Sequence, residues 1–232
     1  MVLAAGAGER LGTGTPKAFQ PIAGTTMLGL AVSAAAACPA IRSVVAVVPT
    51  GWERRAESLL PAPVPLVVVT GGATRQESVR LALDAVPGKA GAIACHDAAR
   101  PFASTDLFES VIGALAGADG AVPLVPVPDT VKRVRGGVVL DTLPREDLGL
   151  AQTPQGFRAQ ALREAHAGAS AEGVEATDDA ALLERMGFRV VAVPGDPANF
   201  KVTTREDLAR AEALLAGREA GGRNGPVEAA RG

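Results

Sequence analysis

Short apolar runs separated by stretches of helical spacing constrain this chain more than any other feature. Residues 44–48, 66–69, 92–96, 121–125 and 190–193 are almost unbroken apolar runs, as expected of strands covered on both faces. Between them, residues 27–37, 52–60, 76–85, 106–116 and 158–167 place apolar side chains at helical intervals. This alternation predicts an α/β domain with a mostly parallel sheet and helices on both faces. Ligands of such sheets sit beyond the carboxyl ends of the strands. The glycine-rich stretch after the first strand and CHDAARP (95–101) after the fourth then share one edge.

The first of these stretches, AAGAGERLGTGTPK, sets Gly6, Gly8, Gly12 and Gly14 beside Arg10 and Lys17. Glycine marks backbone that turns sharply or comes close to a ligand, and two cations beside it point to an anion. The stretch contains no G-x-x-x-x-G-K-[S/T], and Leu11 stands where a dinucleotide fingerprint needs its third glycine. Backbone N–H groups leaving a strand can nevertheless cradle a triphosphate, with Arg10 and Lys17 supplying charge. A turn carrying two solvated cations is the plainer alternative.

Composition removes several function classes. With 23 basic and 25 acidic residues, a net charge of −2, no Tyr and one Trp, the chain has no general attraction to nucleic acid or anionic membrane and little means of stacking bases. Cys38 and Cys95 are too few and too far apart for a disulfide framework or zinc site, so buried small hydrophobes in a reducing cytoplasm are expected. No segment approaches the length of a membrane span. The first apolar run, residues 2–4, is short for a central strand, which leads to the expectation that a few more residues belong upstream.

The alternation breaks between Pro123 and Phe157. Residues 131–134 and 138–140 flank Gly136-Gly137 and read as a hairpin. An isolated hairpin is marginal in water, so this arm, roughly residues 126–152, is expected to pack on a partner chain, with packing on its own domain as the alternative. Thr177 or Asp178 can cap a helix ending at Gly187. Residues 1–216 form one domain on this reading, and 217–232 have nothing to bury and are expected to be disordered.

The opening AAGxGxRLGxxxPKAFxPIxG resembles the signature loop of the sugar-phosphate nucleotidyltransferases. In detail the chain is most similar to the 2-C-methyl-D-erythritol 4-phosphate cytidylyltransferase family of the non-mevalonate isoprenoid pathway. GGATRQESV (71–79), HDAARP (96–101), VPDTVKR (127–133), LAQTPQGF (150–157), the TDD step (177–179) and NFKVTTREDL (199–208) follow in that family's order. The resemblance implies a three-layer Rossmann-like nucleotidyltransferase fold with a protruding hairpin arm and a homodimer joined through that arm. It implies transfer of CMP from CTP to a polyol phosphate with release of pyrophosphate. A ribitol-5-phosphate cytidylyltransferase and, more remotely, a silent nucleotide-binding domain are the alternatives.

On the same resemblance, Arg10 and Lys17 are the catalytic cations, and backbone N–H groups around Ala5, Gly6 and Gly8 hold the triphosphate. Ala4, Gly72 and Ser78 read the cytosine, although Ser78 alone would be an ordinary helix residue. Asp97 is the carboxylate for Mg²⁺ or another divalent cation, or otherwise a helix cap. Arg100, Thr130, Arg145, Thr153 and Lys201 hold the second substrate, Thr130 and Arg145 reaching the other subunit's site. His96 is expected to be a packed strand residue and not a base, because a phosphate nucleophile is already ionised.

Overall fold

The computed structural model describes residues 1–6, 14–61 and 63–223. In chain order the elements are β1 (Val2–Leu3), β2 (Pro21–Ile22), β3 (Thr25–Thr26), α1 (Met27–Ala37), β4 (Val44–Val48), α2 (Glu53–Leu59), β5 (Leu66–Thr70), α3 (Arg75–Ala85), β6 (Ala92–Asp97), α4 (Thr105–Ala114) and β7 (Gly120–Pro126). They continue with β8 (Val131–Arg135), β9 (Val138–Leu143), β10 (Gly149–Ala151), β11 (Gln155–Arg158), α5 (Ala159–Glu172), α6 (Asp179–Arg185), β12 (Val190–Pro194) and α7 (Arg205–Arg223).

Strand β4 shows why three layers form. Successive strand residues point to opposite faces, so its run VVAVV must be covered twice. Val44, Ala46 and Val48 pack with Leu28 and Val32 of α1 and Phe108 of α4. Val45 and Val47 pack with Val79 and Leu83 of α3, Leu162 of α5 and Leu183 of α6. The sheet is mostly parallel. Strands β5, β4, β1 and β6 pair in parallel, and β12 runs parallel to β7. Strand β11 pairs antiparallel between β6 and β7, with β10 alongside β7.

Helix starts follow local chemistry. Thr26, Thr74, Ser104 and Asp178 each accept the backbone N–H three residues on, at the heads of α1, α3, α4 and α6. Asp178, not Thr177, is therefore the cap of α6.

The hairpin of β8 and β9 forms a separate two-stranded sheet. Its turn uses Gly136 and Gly137 at φ of 57° and 80°, the paired left-handed dihedrals of a tight primed turn. Val134, Val138, Val139 and Leu140 are all more than half exposed on it.

Two expectations need correction. Strand β5 ends the sheet order and leaves Val67 45% exposed, so it is an edge strand and not one covered on both faces. Helix α7 runs through Gly217 to Arg223. Gly217, Gly221 and Gly222 all fall within it, each costing roughly 1 kcal/mol against alanine, so glycine weakens this helix without stopping it. Residues 224–232 lie outside the described residues.

Gly156 of β11 lies against α4, where a Cβ would come within 2.8 Å of the Val111 carbonyl oxygen. Gly156→Ala is expected to destabilise the fold by about 1–3 kcal/mol in denaturant unfolding. Unchanged stability would contradict this close approach.

Candidate active site

The carboxyl ends of β1, β5 and β6 open into a cleft of about 290 Å³ lined by Ala4, Ala5, Gly6, Lys17, Gly72, Thr74, Arg75, Ser78, Asp97 and Lys201, among others. The chain can turn here because Gly71 lacks a side chain. A Cβ on Gly71 would fall 2.3 Å from that of Ala5 and 2.9 Å from Ser78 Oγ. The Ser78 hydroxyl accepts the Gly72 N–H at 3.1 Å and donates to the Thr74 carbonyl at 2.9 Å. At the head of α3, Thr74 accepts the Glu77 N–H while the Glu77 carboxylate accepts that of Ala73. This variant of the capping box places Arg75 in the first turn, facing the end of β6.

Asp97, the last residue of β6, is held from two sides. Arg75 Nε lies 3.3 Å from Oδ1 and Lys201 Nζ 2.7 Å from Oδ2. Burial pushes the Asp97 carboxyl up, but Arg75 and then Lys201 outweigh it and hold the group at about 2. Arg75 also donates through Nη1 to Asp179 Oδ2 at 2.8 Å. Asp179 in turn lies 3.0 Å from His166 Nε2, with both side chains almost fully buried. Burial alone would raise the Asp179 carboxyl, and the His166 and Arg75 contacts reverse that and lower it.

The neighbouring His96 is fully buried and packs edge-on to Phe108. Its Nε2 meets the Arg100 carbonyl oxygen at 3.0 Å, so Nε2 carries the proton and donates. Nδ1 then accepts from the Thr153 hydroxyl at 3.0 Å, and Thr153 Oγ1 accepts the Asp97 N–H at 2.9 Å. A neutral ring satisfies this chain of contacts. Burial, only partly opposed by Asp97, lowers the His96 ring to about 4.

The structure brings Ala4, Ala5, Gly6, Lys17, Gly72, Ser78, Asp97 and Lys201 to one cleft. Gly8 and Arg10 lie outside the described residues. Arg100 is employed elsewhere, donating through Nη1 to the Asn199 carbonyl at 2.9 Å and through Nη2 to that of Ala151 at 3.0 Å. It thereby ties the segment leading to Lys201 to the base of the arm. Gln152 supports the same segment with both ends of its carboxamide on the Asp196 backbone. Thr153 is buried in the His96 contacts and does not line the cleft. Thr130 and Arg145 are exposed near the arm, Arg145 donating to the Pro128 carbonyl, and neither reaches this chain's own cleft.

Arg75 and Asp179 lie within the GGATRQESV and TDD motifs, and no role was expected of either. The available signal was an arginine just inside a helix cap and a second acid in the TDD step. Among the described residues, no three His, Cys, Asp or Glu side chains cluster as a metal site.

The sequence profile of the 2-C-methyl-D-erythritol 4-phosphate cytidylyltransferases matches residues 1–217. The chain belongs to that family. The family's protein from Deinococcus radiodurans is 47% identical over 214 residues, spanning 92% of this chain and 88% of that one. Crystal structures of family members agree with the fold. That from Thermus thermophilus is 39% identical with a TM-score of 0.77, over 93% of this chain and 98% of the other. The synthase from Anaerococcus prevotii is 27% identical with a TM-score of 0.83, over 93% and 96%. The sheet, its flanking helices and the projecting hairpin are thus the nucleotidyltransferase architecture of this family.

The neutral His96 has a measurable consequence. Below about pH 6.5 the unfolded ring takes up a proton, while the folded ring resists it down to about 4. Stability should therefore fall with pH across that window, by about 3 kcal/mol in all. His96→Gln, which keeps a donor and an acceptor but does not titrate, should flatten this part of the profile in denaturant unfolding. An equally steep decline in the variant would contradict the assignment.

Proposed function

We propose that this protein transfers the cytidylyl group of CTP to 2-C-methyl-D-erythritol 4-phosphate, giving the diphosphocytidyl product and pyrophosphate in non-mevalonate isoprenoid synthesis. The observation that carries this reading is the grouping of Lys17, Asp97 and Lys201 in one cleft of a chain whose family match spans residues 1–217. An oxygen of the substrate phosphate attacks the α-phosphorus. The new P–O bond forms as the bond to the oxygen bridging the β-phosphorus breaks, and pyrophosphate leaves with that electron pair. The nucleophile is already an anion, so no base is required, in keeping with a His96 whose ring nitrogens are both engaged.

Catalysis of this kind is positioning plus stabilisation of charge. Backbone N–H groups at Ala5 and Gly6 cradle the triphosphate, and Lys17 supplies charge at the α-phosphate. Arg10 and Gly8 share these roles on the strength of the loop motif alone. Ala4, Gly72 and Ser78 read the cytosine edge, where a wrong base leaves buried groups unpaired. Lys201 holds the substrate phosphate.

Mg²⁺ takes oxygen ligands and is commonly held by one or two carboxylates together with substrate phosphates. Asp97 fits such a role, being ionised and at the cleft wall, with one cation on each oxygen and lone pairs remaining. When bound, the ion neutralises charge on the phosphates.

The apolar side chains exposed on the arm support a homodimer joined through it, in which Thr130 and Arg145 complete the partner's cleft. A cytoplasmic location fits two free, buried cysteines. No helix among the described residues is long and apolar enough to cross a membrane.

Pyrophosphate release from CTP and Mg²⁺ tests the substrate. Methylerythritol phosphate should support it and ribitol 5-phosphate should not; the reverse preference, or no release with either, would overturn the reading. Lys17→Ala should cost at least ~100-fold in kcat, and Arg145→Ala should be similarly impaired. Unfolded, mixed and refolded together, half of the dimers should be mixed and half of their sites intact, returning about a quarter of parental activity. No recovery would place Arg145 in its own subunit's site.

A further inference from the structure

Arginine beside a carboxylate ordinarily closes two parallel N–H···O bonds. Arg75 does not do this with Asp97, which it meets only through Nε at 3.3 Å. Its Nη1 is drawn to Asp179 at 2.8 Å, and its Nη2 is buried with no partner among the described residues. Asp179 is 1% exposed and braced by His166 Nε2 at 3.0 Å. It sits in the first turn of α6, far from Arg75 in the chain, and lies outside the cleft wall.

We propose that Asp179 is a positioning residue, which holds the Arg75 guanidinium off Asp97 so that the Asp97 carboxylate keeps one oxygen for Lys201 and free lone pairs for a divalent cation. Without Asp179, nothing opposes closure of the two-bond pair between Arg75 and Asp97. That pair would take one lone pair on each carboxylate oxygen and turn the carboxylate toward Arg75, leaving Lys201 and a metal to compete for the two lone pairs that remain. Asp179 thus acts through Arg75, without touching nucleotide, metal or substrate. This inference rests on the reading of Asp97 as the metal carboxylate.

The test uses the full-length protein with Mn²⁺ and CTP and no second substrate, following binding by water-proton relaxation, which separates protein-bound from free Mn²⁺–CTP. Asp179→Asn should weaken Mn²⁺ binding at least ~10-fold, the usual scale for losing a residue that orients a metal ligand. At saturating metal, kcat should fall while KM for CTP stays within about twofold, a split that general loosening of the fold would not give. Lysine cannot close a two-bond pair, so adding Arg75→Lys to Asp179→Asn should restore Mn²⁺ affinity to within about threefold of the parent.

Unchanged Mn²⁺ affinity in folded Asp179→Asn, or no restoration in the double variant, would overturn the proposal. If Asp179→Asn does not fold, Arg75→Lys alone decides. Parental Mn²⁺ affinity, showing that Asp97 does not need the guanidinium, supports the proposal, and a tenfold loss, showing that it does, overturns it. Parental turnover measured alongside separates the two levels, since its absence defeats the functional reading while the Mn²⁺ comparison still judges Asp179.

Discussion

The site depends on one carboxylate, Asp97, staying ionised between two cations of unequal grip. On one side Arg75 and Asp179 form a pair whose acid is 1% exposed, and removing one partner of such a buried pair typically costs about 3–5 kcal/mol. On the other side Lys201 is 45% exposed, and contacts of that kind contribute about 0–1 kcal/mol. The difference assigns the roles. Arg75 is a fixture, whereas Lys201 can exchange Asp97 for an incoming phosphate at small cost.

The topology supplies these groups from distant parts of the chain. Asp97 ends β6, Arg75 begins α3 and Asp179 begins α6, so a strand terminus meets two helix heads at the edge where parallel sheets bind ligands. Lys201 arrives on a segment held by Gln152, Asn199 and Arg100. Because Arg100 also holds Ala151 at the base of the arm, the support of Lys201 and the root of the hairpin share one side chain. Any partner chain seated on the arm would rest close to that support.

Local patterns were legible in proportion to how local their causes are. The apolar runs at β4 and β6, the helices between them and the Gly-Gly hairpin follow from periodicity and turn chemistry, and each is present with small shifts at its ends. The edge exposure of β5 was not legible, since an apolar run does not state which strand ends the sheet. The continuation of α7 past Gly217 was missed because a glycine costs a helix only roughly 1 kcal/mol and does not by itself stop it. At the cleft, Lys17, Asp97 and Lys201 could be read from motifs. The Arg75–Asp179 pair spans 104 positions, and no spacing rule reaches that far. Arg100 shows the converse, because a cation in the right motif reveals charge but not which acceptor claims it.

Selective ¹³C labelling of aspartate, with the Asp97 resonance identified by Asp97→Asn, tests the central pairing most directly. With Arg75 and Lys201 in place, the carboxyl carbon should keep its ionised shift from about pH 7 down to about pH 3, because its midpoint lies at about 2. A midpoint near 4, the ordinary aspartate value, would show that the two cations do not hold Asp97, and the site as described would not stand.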